Sequence, residues 1–356
     1  MLQERDFCIY CELFKTTNSI FFDLETFATN TMRIIFSIAF LFCFGLSAKS
    51  QLLLKSGVPN APAGKLIKVD SSLNFIAMGD WGRNGADHQK QVAAAMGRTA
   101  SDIKAQFIIS TGDNFYPSGV ISAQDPLFRY SFEDIYTDFS LQWDWYVVLG
   151  NHDYKSNPDA EVEYSKISRR WKMPARYFSK KFAINGDAQN QVLIAFIDTN
   201  PLIPEFYKNA EYGPNVKGQD TVAQKKWLIK TLEDKDPSIK WRIVVGHHPM
   251  YTGGSRTDAY DTKAVRNSLK AVFDKYGVDV YLTGHEHSLQ YIKPDGQTHH
   301  FISGAASEKT PVKLIPGAEM VASEYGFMLF SVQRNQLLVQ VVNEKGEAIY
   351  HTTIKK

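Results

Sequence analysis

Seven residues of this sequence could each ligate a metal ion, and all stand just beyond short apolar runs. Asp80 follows Leu73–Met78, and Asp113 and Tyr116 follow Phe107–Ser110. Asn151 follows Trp145–Leu149, His247 follows Trp241–Val245, and His285 and His287 follow Val278–Leu282. The set holds carboxylate, phenol, carboxamide and imidazole but no thiol, a mixture that suits Fe, Mn or Zn in a reactive site rather than structural zinc. In Gly112-Asp113-Asn114-Phe115-Tyr116-Pro117, a carboxylate and a phenol leave the same strand end three residues apart. Asp113 can bridge two cations through its two oxygens. A phenol with a reference pKa of about 10 is held as phenolate only by a strong Lewis acid such as Fe(III). Seven ligands with one bridging suffice for two metals with positions left for water and substrate. Two metals roughly 3.5–4 Å apart clamp a phosphate ester and ionise a bound water near neutral pH.

Each piece alone says little. A Gly-Asp pair can cap a turn, and a His-x-His pair can be two ordinary surface histidines. Five such turns in sequence order, each behind an apolar run, carry the assignment.

The elements that must position these residues follow from the same reading. Apolar strands alternate with helical stretches over Gln89–Lys104, Thr221–Glu233 and Ala264–Tyr276. Another apolar run, Val192–Ile197, ends in Asp198. The tail from Phe301 to Ile354 reads as further strands, among them Gly326–Val332 and Gln336–Val342. This is an α/β (α+β) pattern with polar residues at carboxyl ends of strands, where open α/β sheets place their sites.

The order Gly-Asp, Gly-Asp-Asn, Gly-Asn-His-Asp, Gly-His-His, Gly-His-x-His resembles the calcineurin-like metallophosphoesterases. The forms Asp80-Trp81-Gly82, Gly112 to Tyr116 and Gly284-His285-Glu286-His287-Ser288-Leu289-Gln290-Tyr291 are similar to the purple acid phosphatases, in their small tartrate-resistant type. The resemblance spans about residues 73 to 332. It implies a four-layer β-sandwich of two mixed sheets flanked by helices. It implies that Asp80, Asp113, Tyr116 and His287 hold Fe(III), and that Asp113, Asn151, His247 and His285 hold a divalent Fe, Zn or Mn. It further implies hydrolysis of small-molecule phosphate monoesters, with a metal-bound hydroxide as nucleophile and His152 facing the substrate. Asp153 and Asp198 are expected to orient ligands. The mammalian-type enzymes carry another histidine beyond the one matching His247. Here His248–Arg256 offers none at that place, so either His248 or Arg256 is expected to contact the phosphate. Two alternatives stand beside this reading: a phosphodiesterase or nucleotide-processing relative, and a non-catalytic exported binding protein of the same fold.

Of the 356 residues 44% are apolar and 22% charged, enough for a sizeable core. A formal charge of +2 gives no reason to expect nucleic acid as a partner. Met32-Arg33, the apolar stretch Ile34–Ser47 and the small residues Ala48 and Ser50 describe a signal peptide over 32–50, which predicts a secreted or periplasmic protein without a stable membrane span. Residues 1–31 read as a spurious extension, 51–72 as a linker and 73–356 as one catalytic domain, expected to be a monomer. All three cysteines, Cys8, Cys11 and Cys43, precede the linker, so that domain is predicted to have no disulfide.

Overall fold

The computed structural model describes residues 50–56 and 64–356. The expected extension and nearly all of the expected signal peptide lie outside the described residues. Among the described residues, no helix is long and apolar enough to cross a membrane.

Two sheets make the body of the protein. One runs in the order β15 (Ala348–Lys355), β14 (Gln336–Asn343), β13 (Gly326–Val332), β2 (Leu73–Met78), β3 (Phe107–Ser110), β4 (Asp144–Val147), β5 (Trp171–Lys172). The other runs β1 (Gln51–Leu54), β12 (Ala318–Ser323), β10 (Leu289–Ile292), β11 (His299–Ser303), β9 (Val280–Thr283), β8 (Ile239–Val245), β7 (Asp187–Phe196), β6 (Phe178–Ile184). Both are mixed: β2, β3 and β4 are parallel neighbours in the first, and β7, β8 and β9 in the second. Those parallel strands are the apolar runs of the sequence. Their carboxyl-terminal portions are buried on both faces, which is why those portions read as unbroken rather than alternating hydrophobic stretches.

Alternate residues of each run feed different layers. Phe75 and Ala77 of β2 join Phe107 and Ile109 of β3, and Ile243, Val245, Val280 and Leu282 of the opposite sheet, in the core between the sheets. Ile76, Met78 and Ile108 point the other way, toward Val92, Ala95 and Met96 of helix α1 (Gln89–Ile103). Two short helices, α2 (Asp159–Tyr164) and α3 (Gly213–Val216), precede α4 (Thr221–Leu232) and α5 (Tyr260–Tyr276). Leu228 of α4 and Val265, Leu269 and Phe273 of α5 pack with Ala195 and Val244 on the outer face of the second sheet. The result is helix, sheet, sheet, helix: the expected four layers. Helix α4 starts where Asp220 accepts a hydrogen bond from the Ala223 amide at 2.8 Å. Helix α5 stops at Gly277, whose φ of 66° few other residues adopt readily.

One expectation needs correction. Inside the stretch read as a linker, Gln51–Leu54 is a strand: β1 pairs antiparallel with β12 and closes that sheet edge. Leu52, Leu53 and Leu54 are half-buried against the sheet, which gives this short segment a reason to order.

Candidate metal centre

The strand ends converge at one edge of the sandwich. From the first sheet, the turn after β2 brings Asp80, that after β3 brings Asp113 and Tyr116, and that after β4 brings Asn151 and His152. From the second, the turn after β8 brings His247, and that after β9 brings His285 and His287. Asp80, Asp113 and His285 all have left-handed backbone, with φ of 60°, 50° and 69°. Few non-glycine residues take this conformation, and it clusters at functional sites. Two glycines allow the close approach. A Cβ on Gly150 would stand 2.2 Å from Asp113 Oδ1, and one on Gly284 would stand 2.4 Å from Asp80 Oδ2.

Around His247 four acceptor atoms face one another. Its Nδ1 lies 2.8 Å from the Thr111 carbonyl, so Nδ1 carries the hydrogen and Nε2 is left to face inward. That Nε2 is 3.2 Å from Asn151 Oδ1, 3.2 Å from His285 Nδ1 and 3.4 Å from Asp113 Oδ1. His285 presents Nδ1 because its Nε2–H is taken by Asp261 Oδ2 at 2.8 Å. A second nest surrounds Tyr116. Its hydroxyl oxygen lies 3.1 Å from Asp113 Oδ2, 3.1 Å from His287 Nε2 and 3.4 Å from Asp80 Oδ1. His287 Nδ1 is 3.2 Å from Glu308 Oε2, which again turns the other ring nitrogen inward.

The donor set therefore fits metals at both nests. Lone pairs pointed at a common centre in a buried space repel one another unless a cation lies between them. The atoms of Asp80, Asp113 and His247 lie within 4.8 Å of one another, as do those of His247, His248 and His285. Without metal, protons take up part of the repulsion. Burial raises Asp80 to about 7 against the pull of His247 and His287. Burial is the largest influence on Asp113 and works to raise it, but the charge and hydrogen bond of His247 together with the His152 and His285 charges hold that carboxyl well below the usual range. His247 in turn is raised to about 9: burial opposes its charge, and Asp113, Asp80 and the Thr111 carbonyl together more than compensate. A metal at His247 has to displace that proton.

The seven expected ligands are thus brought together, with His152 beside them. The His152 amide donates to Asp113 Oδ1 at 2.7 Å, and its ring Nδ1 lies 2.6 Å from the Pro117 carbonyl. Asp153 ties the loops: it accepts from the amides of Asn114 at 2.9 Å, Phe115 at 3.1 Å and Gly150 at 2.8 Å. Asp198 instead accepts from the Tyr154 hydroxyl and the Asn200 amide. Of the two phosphate-contact alternatives, His248 is fully buried with Nδ1 2.8 Å from Thr199 Oγ1. Arg256 stands at the rim with its side chain 41% exposed and its Nε 3.6 Å from Asp261 Oδ2.

Sequence reasoning missed Asp261 and Glu308, the carboxylates behind His285 and His287. Each lies some twenty residues from its histidine in the chain, 24 in the case of Asp261, and no local motif links them. Removing the first is expected to matter: Asp261→Asn frees the His285 ring to turn and should weaken metal binding at the His247 nest roughly 10–100-fold. Competition with a chromogenic chelator measures this, and unchanged affinity would remove Asp261 from the support of the site.

The profile of the calcineurin-like phosphoesterase family matches residues 73–289, the span that holds every expected ligand. The chain belongs to this family. Among calcineurin-like phosphoesterases it groups with the purple acid phosphatases. It is 37% identical to purple acid phosphatase 17 of Arabidopsis thaliana over 68% of this chain and 70% of that one. It is 32% identical to tartrate-resistant acid phosphatase type 5 of Oryctolagus cuniculus over 80% of this chain and 91% of that one. The fold of this phosphoesterase also matches solved structures. One is GAP50, described as the anchor in the inner membrane complex of Plasmodium, with a TM-score of 0.68 at 22% identity over 80% of this chain and 89% of that one. Another is a purple acid phosphatase from yellow lupin, with a TM-score of 0.57 at 14% identity over 82% of this chain and 55% of that one.

Proposed function

We propose that this acid phosphatase hydrolyses small-molecule phosphate monoesters at a dinuclear Fe(III)–M(II) centre, M being Fe, Zn or Mn, and works as an exported monomer. The observation that carries the reading is the pair of acceptor nests sharing Asp113. Asp80, Asp113, Tyr116 and His287 would hold the Fe(III), and Asp113, Asn151, His247 and His285 the divalent ion. Bound there, the metals would supply Lewis acidity to the phosphoryl oxygens and a nucleophile from water near neutral pH.

The chain's own residues account for the rest. Asp113 spans the nests, with Oδ1 toward His247 and Oδ2 toward Tyr116. The Pro117 carbonyl fixes the His152 ring and leaves Nε2 to meet the substrate's oxygens or the departing alcohol. The exposure of Arg256, against the full burial of His248, supports Arg256 as the residue that binds the phosphate through its planar fork. The Glu286 carboxylate anchors the Arg256 amide at 2.7 Å and so sets where that side chain starts. The crowding of uncompensated acceptors supports catalysis over the non-catalytic alternative, because a mere binding surface gains nothing from it. Export is supported by Met32-Arg33, the apolar Ile34–Ser47 stretch and the small residues Ala48 and Ser50 that follow it.

Tyr116 supplies the test. Burial, then the Asp113 and Asp80 charges, push its hydroxyl well above its ordinary value, so only a strong Lewis acid could take it as phenolate. The purified protein should show a broad visible absorption band, and Tyr116→Phe should lose the band while staying folded. A colourless, metal-replete protein that turns over phosphate esters would discard Fe(III)–tyrosinate and retain the hydrolase.

A further inference from the structure

We infer that Arg83 is a positioning residue for the Tyr116 side of the centre, clamping its ligands and setting the electronic energy of the tyrosinate. The inference rests on the Fe(III)–tyrosinate reading above. Arg83 follows Asp80-Trp81-Gly82 directly, and its guanidinium carbon lies 3.9 Å from the centre of the Tyr116 ring. Its Nη2 is 2.5 Å from Glu308 Oε2, the oxygen that also faces His287 Nδ1 at 3.2 Å. Its Nε donates at 3.1 Å to Ser307 Oγ, which itself donates to the Asp80 carbonyl at 2.5 Å. One guanidinium thus touches a ligand ring and, through one residue each, braces two further ligands. Three of the four groups proposed for the iron depend on where it sits.

The geometry uses what only arginine offers. The guanidinium is planar, so it can lie on an aromatic face while its edge donates to Glu308 and Ser307. The side chain is 20% exposed, so water screens its charge only in part. A cation on the ring face stabilises the ring's electrons most when the phenol has ionised. Light absorption by an Fe(III)–tyrosinate moves one of those electrons toward iron. Holding the donor level down therefore moves the band to higher energy, and removing the cation moves it back.

Visible spectra and iron loss to a chelator, recorded on metal-loaded wild type, Arg83→Gln and Arg83→Lys, test this. Arg83→Gln should shift the band to longer wavelength by on the order of 20 nm, the scale expected for a unit charge removed about 4 Å from the ring. It should also lose iron roughly tenfold faster, because Glu308 and Ser307 lose their brace. Arg83→Lys keeps a charge but not the flat fork, so it should fall between the two on both readouts. Should Arg83→Gln not fold by circular dichroism, Arg83→Lys decides alone on the same measurements. Wild-type band position and iron retention in the folded variants overturn the inference while the iron–tyrosinate reading stands. A colourless wild type overturns that reading, and this inference with it.

Discussion

Replacing Asp113 by Asn is expected to cut phosphate-ester turnover by roughly a thousandfold or more and to empty both nests of metal. The substitution keeps the shape of the side chain. What it removes is one negative charge and one of the two acceptor oxygens. Asp113 Oδ1 receives the His152 amide at 2.7 Å and faces His247 Nε2 at 3.4 Å, while Oδ2 faces Tyr116 at 3.1 Å. An amide nitrogen on either side presents hydrogens where a cation belongs. It also removes the larger of the two carboxylate charges that raise His247 above its ordinary value. Elemental analysis together with turnover of a chromogenic phosphate ester measures both effects. A variant that keeps two metals per chain and near-normal rate would show that Asp113 does not join the nests.

Trp81→Ala should destabilise the protein by ~4 kcal/mol, among the larger costs open to a single core truncation. The indole is fully buried. Its ring packs 5.4 Å from Tyr136, 5.6 Å from Phe115 and 6.3 Å from Trp171, centre to centre. It carries a polar duty as well: its N–H donates to Ser110 Oγ at 2.8 Å, and Ser110 in turn bonds Asn114. Alanine leaves a cavity too large for the surrounding rings to close, and it leaves Ser110 without its donor. The residue sits between Asp80 and the turn that holds Asp113, so the loss is also felt at the site. The midpoint of urea unfolding, measured on metal-free protein so that bound metal cannot mask it, gives the number. Phe139→Ala is the control: that ring is 86% exposed, and its removal should change stability by no more than about 0.5 kcal/mol. Equal effects of the two changes would contradict the packing described.

The parts legible in the sequence share a physical cause. Strands β2, β3 and β9, and the Ile243–Val245 end of β8, are buried on both faces, so apolarity is favoured at every position there and the run stands out. Their ends change abruptly to polar residues, because the residues of the candidate site leave from there. The same abruptness made the Gly-Asp and Gly-His turns conspicuous. Strand β6 was hidden for the opposite reason: with Ser179, Lys180 and Lys181 exposed, Phe178–Ile184 lacks a continuous apolar signal. Strand β1 is only four residues long and gains its order from β12, far along the chain. Asp261 and Glu308 were illegible because a carboxylate that orients a histidine through space leaves no spacing to read. Trp81 was visible as part of Asp-Trp-Gly, but its place among the aromatic rings was not.

Because the proposed ligands are drawn from both sheets, metal loading is expected to follow the order in which the chain is made. The His285 amide donates to the Asp80 carboxylate across 205 positions of sequence, and the Tyr116 hydroxyl meets His287 across 171. Contacts this remote close late in folding, after the entropy of a very long loop has been overcome. A growing chain that has reached Asn151 owns Asp80, Asp113 and Tyr116, three of the four groups of one nest, but only Asp113 and Asn151 of the other, so neither nest is complete. Only when the strand ahead of His285 has joined its sheet does a cation become a fastener between the two halves of the sandwich. From then on the cation stabilises the native state by mass action, by about 2.7 kcal/mol when free metal is a hundred times its dissociation constant. Colour, if it develops as proposed, would then report more than composition. It would mark the moment when the two sheets have closed on each other.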